Sequence, residues 1–114
     1  MRTLFVSLCV AGLLATGYAF AEDTSGQAKN LQILPKDLPK AEIKKLMKKQ
    51  AASLGVQCEH CHDTDDFSKD TEKKTEARAM MKMTLQINKD FFKGEKKVDC
   101  MTCHNGNKEP KKPT

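Results

Sequence analysis

The feature that most constrains this chain is a pentapeptide pattern that occurs twice. Cys58-Glu59-His60-Cys61-His62 and Cys100-Met101-Thr102-Cys103-His104 both read C-x-x-C-H. The spacing suits one reaction in particular, the addition of two thiols to the two vinyl groups of a single haem, because it sets the sulfurs about one helical turn apart. The imidazole directly after the second cysteine then lies beneath the porphyrin and reaches the iron as proximal ligand. Chance produces one copy far more readily than two copies that both carry the trailing His. The sequence therefore predicts two covalent haem c groups, held through Cys58, Cys61, Cys100 and Cys103, with His62 and His104 on the irons.

The chain has 114 residues, enough for one domain. Residues 1–21 read as a cleaved export signal: Arg2 precedes an apolar run from Leu4 to Leu14 that is too short to span a bilayer, and Ala19-Phe20-Ala21 is an A-x-A cleavage site. Cys9 lies inside that run and is expected to leave with it. The mature protein is then periplasmic, starts near Glu22, and has no integral membrane segment. All four of its cysteines lie in the two motifs, and Phe67, Phe91 and Phe92 are its only aromatic residues. A chain of this size buries surface only marginally, and aromatics normally carry much of a small core. The porphyrins are therefore expected to be the core, and the haem-free chain to be largely unfolded. The formal charge of +5 is lysine-dominated and without interleaved aromatics, which argues against a nucleic-acid partner.

Hydrophobic periodicity organises the rest into an all-α domain over residues 41–106, between a flexible lead-in (22–40) and a basic tail (107–114). Within the lead-in, Leu31 to Leu34 form a short apolar patch. The first helix is predicted over Ala41–Leu54, with Ile43, Leu46, Met47, Gln50, Ala51 and Leu54 on one face, lysines elsewhere, and Gly55 as its stop. Asp63 to Asp70 is an acidic loop lacking the fixed Gly and terminal Glu of a calcium-binding hand. A second helix is expected from Glu72 or Glu76 to Asn88, capped by Thr71 or Thr75, with Ala77, Met80, Met81, Thr84, Leu85 and Ile87 on its apolar face and Met83 at the edge. Residues Lys89 to Val98 are read as a polar connection. The order is a repeat of methionine-bearing helix, connection and C-x-x-C-H, with both cysteines and histidines offset by 42 positions.

A low-spin haem needs a distal ligand. Of the three histidines, two are proximal. His60 sits between the cysteines of its own attachment loop, where a side chain usually points to solvent. Met101 is likewise trapped in its loop. For the first haem, Met47 is the distal candidate, on the helix just before Cys58. For the second, Met80, Met81 and Met83 compete on one helix, where the usual fate of a methionine is to fill a gap in packing, and His60 is the rival from the neighbouring motif.

The stretches Leu54-Gly55-Val56, Ala77-Arg78-Ala79-Met80-Met81-Lys82-Met83-Thr84, Ile87-Asn88 and Val98-Asp99-Cys100-Met101-Thr102-Cys103-His104-Asn105-Gly106 resemble the cytochrome c subunit of the photosynthetic reaction centre. The likeness covers roughly Ala41 to Pro110. It implies a small dihaem c-type fold, one half of that tetrahaem subunit, with an axial methionine on the helix before each motif. By that pattern Met47, eleven residues ahead of Cys58, and Met80, the first methionine of the R-x-M-x-x-M-T stretch, are the distal ligands. The chain departs from the family in having one half instead of two, and in having Phe91-Phe92-Lys93 where larger members place a further His.

The resulting expectation is a periplasmic electron carrier, not an enzyme, shuttling single electrons between redox partners. Lysines around the first helix would steer it toward an acidic partner surface. Two rivals make different demands. A haem enzyme or gas sensor with one open iron, peroxidase-like, needs distal acid–base residues, yet Arg78 is the only arginine after the signal. A zinc site built from the four cysteines, or a pair of disulfides, leaves the trailing histidines and the sparse core unexplained.

Overall fold

The computed structural model describes residues 28–114. The predicted signal at 1–21, Cys9 and the first part of the lead-in lie outside the described residues. Three helices follow in order: α1 (Lys40–Leu54), α2 (Glu72–Phe91) and α3 (Cys100–His104), with a 3-10 turn at Cys58–His60 between α1 and α2. Among the described residues there is no strand, and no helix is long and apolar enough to cross a membrane.

The first helix forms as its sequence predicts. Pro39 precedes it in an extended conformation, and its carbonyl accepts from Ile43 N–H at 3.0 Å. Ile43, Leu46, Met47, Gln50, Ala51 and Leu54 are all half-buried, while Lys44, Lys45, Lys48 and Lys49 are exposed. At the C-terminus Gly55 turns left-handed (φ +64°), so that its own N–H and that of Val56 reach back to the last-turn carbonyls.

The second helix begins where Thr71 Oγ1 accepts from Lys74 N–H (3.2 Å), which selects Thr71 over Thr75 as the cap. It departs from expectation in two ways. It continues one turn past Asn88 to Phe91, because the Asn88 side chain does not compete for its own helix. That side chain reaches forward instead: Nδ2 donates to the Val98 carbonyl (2.8 Å), and Oδ1 accepts from Lys97 and Val98 N–H (2.9 Å each). The helix stops when Phe92 and Gly94 N–H both return to the Asn88 carbonyl, with Gly94 at φ +84°. The packed face also differs. Ala77, Arg78, Met81, Thr84 and Ile87 are half-buried and Asn88 is buried, whereas Met80, Met83 and Leu85 stay exposed.

Only Ser53 (1% exposed) and Asn88 (7%) are buried among the described residues, and neither is apolar. Polar contacts set the arrangement. Helix α1 packs on α3, with Lys49 Nζ donating to Asp99 Oδ2 (2.7 Å) and Gly106 N–H donating to the Ser53 carbonyl (2.8 Å). At the other end, Asn30 Nδ2 donates to the Ser68 carbonyl and to Asp70 Oδ1 (2.7 Å each), and Arg78 donates to the same carboxylate (2.8 Å). Asn30, inside the segment read as lead-in, is therefore fastened to the loop that precedes α2.

Candidate functional site

Each C-x-x-C-H motif curls so that its two cysteines stand one turn apart, but the two do so differently. In the first, Cys61 and His62 N–H both return to the Cys58 carbonyl (3.3 and 3.0 Å), forming a 3-10 turn. In the second, Asp99 caps α3: its carboxylate accepts from Thr102 N–H, and its own N–H donates to Thr102 Oγ1 (3.0 Å). This reciprocal cap stabilises a helix of only five residues, which would otherwise be too short to persist. All four thiols are free. Cys58 and Cys103 are exposed, Cys61 and Cys100 half-buried. Burial is the main influence that pushes the Cys61 and Cys100 thiols above their ordinary range.

Both imidazoles set Nδ1 against a backbone carbonyl. His62 Nδ1 lies 3.3 Å from the Phe67 carbonyl, and His104 Nδ1 lies 3.0 Å from the Asn107 carbonyl. A carbonyl oxygen can only accept, so Nδ1 carries the proton in each ring and the Nε2 lone pair is left for a metal. The supports are themselves fastened. The Phe67 carbonyl also accepts from Lys74 Nζ (3.2 Å), which continues to the Ser68 and Lys69 carbonyls; partial burial lowers the pKa of that ammonium. The Phe67 ring lies 5.2 Å from that of His62, centroid to centroid. Thr71 Oγ1 donates to the Cys61 carbonyl (2.5 Å), joining the first motif to the start of α2.

The methionines divide by exposure. Met47 and Met81 are half-buried; Met80 (48%), Met83 (47%) and Met101 (41%) are exposed. On α2, Met81 lies on the packed stripe with Ala77, Thr84 and Asn88. Met80, Met83, Ile87 and Phe91 recur at three- and four-residue steps on an adjoining stripe. Thr84 Oγ1 donates to the Met80 carbonyl (2.5 Å). His60 is half-buried.

This donor set fits haem c. Each motif offers two free thiols a turn apart and one imidazole whose Nδ1 is taken by a backbone carbonyl, and among the described residues Met80, Met83 and Phe91 on α2 stay exposed. Among the described residues no three His, Cys, Asp or Glu side chains converge as a metal cluster, so the four-cysteine zinc site has no support in the geometry.

Four residues that position this site escaped the sequence reading. Phe67 and Asn107 act through carbonyls, which every residue has, so residue type gives no signal. By sequence Asn107 opens the basic tail, yet it closes the second motif: its N–H donates to the His104 carbonyl at 2.9 Å. Ser53 acts on Gly106, far along the chain, and Asn88 on Lys97 and Val98 in the following connection, and their only local signal is a polar residue on or beside an apolar face.

The profile of the family described as photosynthetic reaction centre cytochrome C subunit matches residues 15–113. The photosynthetic reaction center cytochrome c subunit of Rubrivivax gelatinosus is 29% identical over 113 aligned residues, covering 78% of this chain and 31% of that protein. Cytochrome c-554 of Chloroflexus aurantiacus is 34% identical over 62 residues, covering 48% of this chain and 15% of that protein. The chain thus spans less than a third of the length of either relative. With paired C-x-x-C-H motifs on a helical frame and a family profile matched over most of its length, the chain belongs to the photosynthetic reaction centre cytochrome c subunit family.

Proposed function

We propose that this protein is an exported electron carrier that holds two covalent haem c groups and passes single electrons between redox proteins in the periplasm. The observation that carries the reading is the twice-repeated arrangement of two free thiols a turn apart and an imidazole whose Nδ1 is committed to a backbone carbonyl. Haem, when bound, supplies a one-electron ferric–ferrous couple. Cys58 and Cys61 hold one group and Cys100 and Cys103 the other; each S–H adds across a vinyl double bond, so no oxidant is consumed. His62 and His104 present Nε2 to the two irons, and their Nδ1–H···O bonds fix the ring planes and raise ligand basicity.

Met47 and Met80 are the proposed distal ligands. Thioether sulfur favours ferrous iron and raises the potential relative to a second imidazole. The exposure pattern supports Met80 over Met81, whose side of α2 is turned toward the protein. Met83 shares the exposed stripe but lies one turn nearer the helix end. Lys40, Lys44, Lys45 and Lys48 are exposed on α1 and give a docking partner with an acidic surface a place to settle.

The test is the product exported from a host that matures c-type haems. Intact mass and a haem assay are expected to give two haems per chain. A colourless product with the bare polypeptide mass would refute the proposal.

A further inference from the structure

The most enclosed residue among those described is Ser53, in the last turn of α1. Ser53 Oγ donates to the Lys49 carbonyl (2.8 Å), and its own carbonyl accepts from Gly106 N–H (2.8 Å). One turn earlier on the same ridge, Lys49 Nζ donates to Asp99 (2.7 Å). Asp99 caps the start of α3, and Gly106 lies two residues beyond its end. A single turn of α1 therefore brackets, at both ends, the short helix that carries Cys100, Cys103 and His104. The same turn runs out at Gly55, three residues before Cys58. It links the two attachment motifs through backbone and side-chain hydrogen bonds.

Gly55 is what lets the link close. A Cβ at this position would overlap the Gly106 carbonyl oxygen, whereas a Cβ at Gly106 would meet nothing within 4 Å. Both glycines have positive φ (+64° and +81°), but left-handed backbone alone does not demand glycine in this chain: Asn30 and Asn105 adopt it at φ +63° and +49°. Space, as well as backbone, dictates Gly55.

We infer that Gly55 is a positioning residue whose bare Cα lets the Gly106 carbonyl seat against the end of α1, and that this contact fixes the second attachment motif relative to the first, and with it the mutual orientation of the two groups they hold. The inference rests on the dihaem reading above. It assigns to Gly55 more than the helix stop that its position in the sequence suggests.

Paired substitutions separate space from strain: Gly55→Asn and Gly106→Asn introduce the same side chain at two left-handed positions, only one of them crowded. The holoprotein is first assayed for haem content, then examined by circular dichroism in the Soret region. There, two neighbouring haems give a bisignate couplet whose sign and amplitude follow their mutual orientation. Gly106→Asn is expected to keep the wild-type couplet, and Gly55→Asn to change its amplitude or reverse its sign, both with two haems bound. A wild-type couplet in Gly55→Asn, an equal change in both variants, or no couplet in the wild type would overturn the inference. A wild type carrying fewer than two haems would count against the proposed function instead. Should Gly55→Asn not accumulate, amide exchange in the ferrous wild type decides. The Gly106 N–H is expected to be protected at least about tenfold over the Lys111 and Lys112 amides, as a persistent clamp requires. Exchange as fast as that of the tail overturns it.

Discussion

Asn88 offers the sharpest quantitative prediction, because its side chain makes three hydrogen bonds to a segment about ten residues away and is almost wholly enclosed. Asn88→Ala removes all three, leaving the Val98 carbonyl and the Lys97 and Val98 N–H groups without that partner. At about 1 kcal/mol net per bond the loss is about 3 kcal/mol at most. The Lys97 N–H also donates to the Glu95 carbonyl (2.9 Å) and keeps that partner, so about 2 kcal/mol is the better expectation. For a domain of this size that is a fall in Tm of about 10 °C. Asn88→Asp probes the direction of the bonds. It keeps an acceptor for both N–H groups but sets a carboxylate oxygen against the Val98 carbonyl, costing about 1–2 kcal/mol at neutral pH. Protonation restores a donor, so the deficit should shrink as pH falls toward the carboxylate range. Thermal melts of the holoprotein by far-ultraviolet circular dichroism, at neutral and mildly acid pH, measure both effects. An Asn88→Ala melt within about 2 °C of wild type would refute the reasoning, since that corresponds to less than about 0.5 kcal/mol.

The remaining predictions concern the distal ligand and the α1–α3 ion pair. Met80→Ala should abolish the methionine-to-ferric charge-transfer band of one haem and leave two haems attached, while Met81→Ala should keep both bands at some cost in stability; the reverse pattern would reassign the ligand. Asp99 has a lowered pKa, chiefly through its hydrogen bond from Lys49. Its contribution is therefore fully present above the ordinary carboxylate value of about 3.9 and is lost as pH falls through the depressed folded-state value. Lys49→Ala should be less stable than wild type at pH 6, and the two should converge as acid titrates Asp99. A difference that does not change with pH would show that the pair contributes nothing through charge.

What could be read in the sequence, and what could not, divides by the range of the forces involved. The covalent chemistry of a C-x-x-C-H motif is confined to five residues, so both motifs and their histidines stand out. The face of helix α1 is legible in the sequence, since all six of its predicted positions are half-buried, although Ser53, the residue buried deepest, lies off that face. Periodicity reports which residues avoid water but not what they meet. On α2 it grouped Met80 and Leu85 with Ala77 and Met81, although only the latter two face the protein. The end of α2 was misplaced for a related reason: Asn88 looks like a helix terminator until its partners near Val98 are known. The carbonyls of Phe67 and Asn107 carry no residue-type signal at all.

That α2 face bears on how the fold is held together. The described residues bury no apolar side chain, and the two that are buried, Ser53 and Asn88, act through hydrogen bonds. Exposed ion pairs such as Lys69–Asp63 and Lys73–Glu76 are screened by solvent and add little. Ordering the backbone costs about 1–2 kcal/mol per residue, so polar contacts of this kind cannot hold the helices in place alone. The apolar surface that could offset this cost lies on Met80, Met83 and Phe91, on the stripe adjoining the packed side of α2. At about 25 cal/mol per Å² it stabilises the protein only when something apolar covers it. Two porphyrins tethered at Cys58–Cys61 and Cys100–Cys103 are the covering that the proposed function supplies. On that reading the work is divided: the apolar stripe provides the affinity that holds the chain folded, while the polar junctions at Ser53, Gly55 and Asn88 decide where each attachment motif stands.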